Sequence, residues 1–400
     1  MSSTGWAQGA CLSSPSMPSD ASMPRLSIVL EQVAARRETS EVQRRLPDDV
    51  VVTLVQAGLF RLGIPESIGG AGLAPARILD VLEVLTAADA AVAWCVWNNM
   101  LPALLAQRLA PQARAELFEG RDIVYGNSTR ATGQLAVVNG GYRLSGRWSL
   151  VSGCQAATHF ALLGVVTSDG VPREVAPGIP EARLAFVPAA AVEIIDTWYA
   201  GGLRGTGSHD VAANSAWVPA DHTCTLTGPA PGADGPLDRF PTMSLMTAGI
   251  ASMLLALGSV CCDALASIGA EHVPTDSRPQ ATMRPALTQG LARATANIGA
   301  ARTAVRGAVE RIGAALEGGE VPLLVRAEMF EAVDLARRLG LEAIRSLYEL
   351  GGTASVYTAR PIERAHRDAH VMGQHIGFDS MWVEQAGRAR LGLQPTNPMF

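Results

Sequence analysis

Lysine is missing from this chain: all 32 cationic residues are arginine. Without an ε-amine there is no Schiff-base chemistry and no Walker-type phosphate loop. A GC-rich codon preference is a sufficient origin for that bias, and the exclusion holds whatever the origin. Charge is scarce as well, at 17% of residues with a net charge of −5, so no strongly basic face is available for nucleic acid. The six cysteines (Cys11, Cys95, Cys154, Cys224, Cys261 and Cys262) include no CxxC pair, so neither a zinc site nor a disulfide framework is indicated. They read as small buried hydrophobes in a reducing cytoplasm. Residues 1–24 lack a basic segment followed by an apolar run, and are read as a disordered tail in place of a signal peptide. Long uncharged runs are equally rare. One, Pro241 to Cys262, is long enough to span a bilayer, but its Ala, Gly, Ser and Met content fits a helix buried on all sides, so no membrane is expected.

Hydrophobic residues make up 48% of the 400 positions, ample for a large core. From residue 25 to about 122 their spacing of three and four predicts helices, in SIVLEQVAARR, DDVVVTLVQAGLF and ARILDVLEVLTAADAAVAWCVW. Residues 123–235 change to short alternating runs separated by turn residues, with Asn139-Gly140 as a hairpin signal, and predict a β domain. Residues 236–400 return to helical spacing in four segments, roughly Ser244–Ile268, Ala281–Leu316, Leu323–Leu350 and Ile362–Arg390. The fold class is therefore α+β and mostly α: an N-terminal helical domain, a middle β domain and a C-terminal four-helix bundle with a tail.

Three motifs occur in order on this framework. The first is Gly140-Gly141-Tyr142-Arg143-Leu144-Ser145-Gly146-Arg147-Trp148-Ser149-Leu150-Val151-Ser152-Gly153, a hairpin leading into a strand that ends Trp-x-x-x-Ser-Gly. The second runs Trp198-Tyr199-Ala200-Gly201-Gly202-Leu203-Arg204-Gly205-Thr206-Gly207-Ser208. The third is Leu350-Gly351-Gly352, followed by Arg364-Ala365-His366-Arg367-Asp368-Ala369 and His375. Together they resemble the acyl-CoA dehydrogenase superfamily over essentially the whole chain after residue 24. Dehydrogenases of that fold place a catalytic Glu shortly after an Arg-Asp-Ala stretch. Here His370-Val371-Met372-Gly373-Gln374-His375 follows Ala369 and no carboxylate falls there, which resembles instead the two-component (group D) flavin-dependent monooxygenases.

That resemblance implies externally supplied reduced flavin (FADH2 or FMNH2) and O2, a flavin C4a-hydroperoxide, and a small, mostly apolar aromatic substrate. It also implies a separate NAD(P)H:flavin reductase, a homotetramer and a cytoplasmic location. An acyl-CoA dehydrogenase or flavin oxidase of the same fold remains the alternative, as does a silent binding protein. Ser152 matches the serine beside flavin N5, although a Ser-Gly turn closing a hairpin reads the same way. His375 is the candidate base or hydrogen-bonding partner of the substrate, against an ordinary helix histidine. Ala88 to Trp94 resembles a helix that carries an active-site histidine in this group. The turn Trp97-Asn98-Asn99-Met100 has none, leaving Asn99 as a candidate orienting amide. For the flavin, Asn127, Ser128, Trp148, Ser152, Gly153 and Trp198 are candidates around the ring. Arg278 with Gly351-Gly352-Thr353 resembles the positions that hold the phosphate or nucleotide end, often from a neighbouring subunit, though Arg278 also reads as a solvated loop residue.

Overall fold

The computed structural model describes residues 26–120, 122–231, 236–271 and 285–400. It begins with helices α1 (Leu26–Gln43), α2 (Asp48–Gln56), α3 (Pro75–Ala88), α4 (Ala90–Leu105) and α5 (Pro111–Phe118). The long apolar stretch from Ala76 to Trp97 is two helices, because Asp89 adopts an extended φ of −158° and caps α4 by accepting the Ala91 N–H at 2.8 Å. Hydrophobic spacing continues across that break, so only the cap reports it.

The strands follow. They are β1 (Tyr125–Val138), β2 (Gly141–Val151), β3 (His159–Ser168), the short β4 (Val171–Pro172), β5 (Glu174–Ala176) and β6 (Ile179–Pro180), then β7 (Ala182–Pro188), β8 (Glu193–Ile195), β9 (His209–Pro219) and β10 (Thr223–Cys224). An eight-stranded sheet runs β10-β7-β3-β1-β2-β9-β8, with β4 attached to β3. Val138 pairs with Gly141, so Asn139 and Gly140 form the expected two-residue turn, Gly140 taking a left-handed φ of 80°. One face of the sheet packs Tyr125, Leu163 and Phe186 against Leu105 and Phe118 of the N-terminal helices and Leu109 of the connection between them. The other closes over Leu135, Leu144, Trp148 and Phe160.

After α6 (Pro236–Arg239), the helices α7 (Thr242–Glu271), α8 (Pro285–Glu317) and α9 (Leu323–Leu350) are long. Their apolar faces join those of α1 to α4 in one core. Helix α7 is long and apolar enough to cross a membrane, but 89% of its most apolar window is buried inside the protein. Its lack of a polar face is explained by contacts with α3, α4, α8, α9 and α10. The fourth expected helix is two: α10 (Pro361–Met372) and α11 (Ser380–Arg390). Gly373 ends α10, and Asp379 caps α11 by accepting the Met381 N–H. His375 therefore lies in the connection between helices and not on a helix.

Candidate active site

The chemistry-bearing residues gather where α4, the ends of β1 and β2, the loop before β9 and the α10–α11 connection meet. Strand β2 carries a bulge between Trp148 and Val151, with Leu150 at a left-handed φ of 61° and half exposed. The extra residue resets the alternation and turns Ser152, the next residue after the strand, into the interior. Its Oγ accepts the Trp94 indole N–H at 2.9 Å and shares a proton with Ser208 Oγ at 2.8 Å. Ser208 meets Thr206 Oγ1 at 2.7 Å, and Thr206 donates to the Leu203 carbonyl at 2.8 Å. Ser152, Ser208 and Thr206 are all buried, so these hydroxyls satisfy one another away from water.

The same loop is held from the other side by Asp368, whose Oδ1 accepts the Leu203 N–H at 2.6 Å. Burial pushes the Asp368 carboxyl up to about 7; neighbouring Asp89 pushes it further in that direction, and the Leu203 N–H pulls it back. His209, fully buried, accepts the N–H groups of Thr197 and Trp198 on Nδ1, each at 3.1 Å, and so fixes the Trp198 end of the loop.

Asn127 and Ser128 are buried at the start of β1. The Asn127 amide donates to the carbonyl and the side-chain oxygen of Asn98, which stands one helical turn beyond Trp94 on α4. Between Ser128 and Gly133 the β1–β3 register breaks and residues 129–132 swing out, exposed. That excursion carries Arg130, whose positive charge reaches His375.

His375 stands edge-on to two indoles, with ring centroids 5.2 Å from both Trp94 and Trp97. Its Nδ1 accepts the Gly377 N–H at 3.0 Å, so the proton of the neutral ring resides on Nε2. Burial, helped by the Arg130 charge, pushes the imidazole down to about 4. Neutrality at physiological pH follows, but the available group is an Nε2–H donor. That tautomer presents a hydrogen-bonding partner, one of the two roles expected of His375.

Two candidates belong to the scaffold. Trp148 is fully enclosed in the sheet core, its indole donates to the Leu163 carbonyl at 2.8 Å, and a ring with no exposed surface has no face for a ligand. Asn99 sits within α4 and not on a turn; its amide donates to the Phe60 carbonyl and accepts the Tyr125 N–H at 2.7 Å, so both ends are occupied by backbone. Gly351, Gly352 and Thr353 form the turn after α9, with Gly352 at a φ of 55° and both Gly352 and Thr353 exposed. Arg278 lies outside the described residues.

Trp94, Trp97, Thr206, Ser208 and Asp368 all lie within the segments read from the sequence, which assigned none of them a role. The hydroxyls of Thr206 and Ser208 were visible two residues apart within a quoted motif. Their convergence on Ser152, more than fifty positions earlier, is a product of the fold.

A flat, mostly apolar ring with a polar edge needs apolar walls and a few fixed hydrogen-bonding groups. The chain offers buried hydroxyls and amides at Ser152, Ser128 and Asn127, and apolar side chains left uncovered at Leu150, two residues before Ser152 and 50% exposed, and at Ile376, next after His375 and 59% exposed. The donor set fits a flavin.

Comparison with known proteins agrees with this geometry. Residues 27–115 match the family model for the acyl-CoA dehydrogenase N-terminal domain and residues 248–380 that for its C-terminal domain. The chain belongs to the acyl-CoA dehydrogenase family. Within it, the chain is similar to indole-3-acetate monooxygenase of Pseudomonas putida, 28% identical with 96% of this chain and 98% of that protein covered. It is also similar to the oxygenase subunit HsaA of a flavin-dependent monooxygenase from Rhodococcus jostii, 27% identical with 94% and 100% covered. Among solved structures, XiaF from Streptomyces in complex with FADH2 and glycerol superposes with a TM-score of 0.85 at 25% identity, covering 94% of this chain and 96% of that one.

Proposed function

We propose that this chain is the oxygenase of a two-component flavin-dependent monooxygenase, taking reduced flavin from a separate NAD(P)H:flavin reductase and transferring one oxygen atom of O2 to a small, mostly apolar aromatic molecule. The observation that carries the proposal is the α10–α11 connection. Where dehydrogenases of this fold place a proton-abstracting Glu, the residue facing Trp94 and Trp97 is a neutral, donor-presenting histidine. An imidazole held neutral by burial is a poor base for the α-proton of a thioester. Bound reduced flavin supplies the two electrons that activate oxygen.

The residues have distinct tasks. Ser152 meets the N5 edge of the ring, Asn127, Ser128 and Gly153 line the same side, and Trp198 flanks it. His375 orients the substrate or the oxygen being transferred through Nε2–H. Trp94 and Trp97 exclude water, which favours productive transfer over loss of peroxide. A homotetramer is part of the reading: the Gly351-Gly352-Thr353 turn, exposed at Gly352 and Thr353 and next to exposed Val356 and Tyr357, together with Arg278, serves the phosphate end of a flavin held by a neighbouring subunit.

The test is direct. Purified protein supplied with chemically reduced FAD or FMN, O2 and a panel of indoles and phenols should yield a hydroxylated product. A protein that retains tightly bound oxidised flavin and is reduced by an acyl thioester would overturn the assignment.

A further inference from the structure

The hydrogen-bonded chain behind Ser152 has a fixed direction. Leu203 contributes a carbonyl, which carries no proton, so the 2.8 Å contact with Thr206 Oγ1 is attractive only if Thr206 donates. A hydroxyl has a single proton. With that of Thr206 committed to Leu203, the 2.7 Å contact between Thr206 and Ser208 requires Ser208 to donate. The proton of Ser208 is then committed too, and the 2.8 Å contact between Ser208 and Ser152 requires Ser152 to donate. On its other side Ser152 accepts from Trp94, whose indole nitrogen can only donate. The order Trp94 N–H, Ser152 O–H, Ser208 O–H, Thr206 O–H, Leu203 C=O runs one way without a choice at any step. Each donated bond also polarises the next, which strengthens the set.

We infer that Thr206 and Ser208 are positioning residues that keep the Ser152 proton on Ser208, so that Ser152 offers a ligand only an acceptor, and thereby make the site selective for the reduced state of the flavin. Ser152 has two lone pairs; Trp94 takes one, and the other is left for a ligand. Reduced flavin presents N5–H, a donor, to that lone pair. Oxidised flavin presents a bare N5 lone pair, and two acceptors brought together in a buried site repel. This inference rests on the placement of Ser152 at N5 in the proposed function, and goes beyond it in assigning the discrimination to residues that touch no cofactor. Asp368 supports the same chain from behind, because the bond its Oδ1 accepts from the Leu203 N–H anchors the residue whose carbonyl ends the relay.

The readout is anaerobic binding of reduced and of oxidised flavin, expressed as the ratio of the two dissociation constants, with no turnover involved. In Ser208→Ala the Ser152 proton loses its acceptor and is free to rotate towards N5. Oxidised flavin should then bind about 10-fold more tightly relative to reduced flavin than in the parent protein, the scale of one buried hydrogen bond. Thr206→Val should move the ratio the same way, since it frees the Ser208 proton to point back at Ser152. Thr206→Ser, which retains the hydroxyl, should keep the parent ratio and serves as rescue should Thr206→Val lose structure. A parent protein that binds both redox states equally, or an unchanged ratio in both Ser208→Ala and Thr206→Val, overturns the inference. Ser152→Ala separates the two levels of the account: if it shifts the ratio while Ser208→Ala and Thr206→Val do not, the relay is wrong and the site stands. If Ser152→Ala leaves both affinities unchanged, the placement at N5 is wrong and the inference falls with it.

Discussion

Trp94 joins the two ends of the site: its indole N–H donates to Ser152 Oγ at 2.9 Å, and its ring meets that of His375 at a centroid distance of 5.2 Å. One side chain of α4 thus touches both the proposed flavin edge and the proposed substrate side. Trp94→Phe keeps most of the ring and removes the N–H, so Ser152 should gain a second free lone pair with the direction of its own proton unchanged. Reduced flavin should bind within about threefold of the parent value, while thermal stability falls by about 1 kcal/mol for the lost bond. Loss of reduced-flavin binding by tenfold or more would show that the indole contacts the cofactor through its N–H.

His375 gives a pH prediction whose sign is set by its surroundings. Its folded pKa is pushed down to about 4 from an ordinary 6.5, so the histidine favours the neutral form and its contribution to stability is present above pH 6.5 and is lost as pH falls towards 4. Between pH 5 and 8 the ring should not titrate, which NMR of the histidine side chains can follow. The rate of product formation should have no limb near 6.5 from this group. His375→Gln, which retains a side-chain N–H donor, should keep far more coupled turnover than His375→Ala. The alanine variant should lose about 10²- to 10³-fold in oxygen transfer and release hydrogen peroxide in its place. Equal, normal coupling in both variants would make the residue structural.

Asp368 predicts the opposite slope. Its folded pKa, pushed up to about 7 by burial, lies above that of an unfolded aspartate, as does that of Asp89 at about 6. The stability these carboxyls contribute is full below pH 4 and is lost as pH rises to 7, because the unfolded chain ionises first. Asp368→Asn retains an oxygen for the Leu203 N–H and cannot ionise. The melting temperature of the parent relative to the variant should therefore decline from pH 4.5 to 7.5, and a flat difference would show that Asp368 is not held neutral.

Much of the architecture was legible in the sequence, and the reasons are local. Leu323–Leu350 emerges with the boundaries that periodicity set, because unbroken helical spacing is a strong signal. The breaks at Asp89 and between Gly373 and Asp379 were not, since apolar spacing runs through both and only capping geometry reveals them. At the proposed site, Ser152 and His375 were singled out because motifs mark them. Trp148, in the same motif, belongs to the sheet core, and its Nε1 bond to Leu163 required strand register to see. Trp148→Phe should accordingly cost about 1–3 kcal/mol by leaving the Leu163 carbonyl unsatisfied, with flavin affinity unchanged. An altered affinity at constant stability would return Trp148 to the binding site.

Assembly is a separate expectation. Light scattering at micromolar concentration should report a homotetramer, with Gly352→Arg at the exposed turn weakening flavin binding more than it weakens folding. A monomer that binds reduced flavin at full affinity would remove the neighbouring subunit from the account.

The central claim, oxygen transfer from reduced flavin to an aromatic carbon or heteroatom, is tested most directly by isotope. Protein loaded anaerobically with reduced flavin and an indole or phenol is mixed with ¹⁸O2, and the product is weighed by mass spectrometry. One ¹⁸O atom per product molecule is the predicted result. A product without label, or one that has lost two hydrogens and gained no oxygen, would contradict the monooxygenase account and favour a dehydrogenase or oxidase.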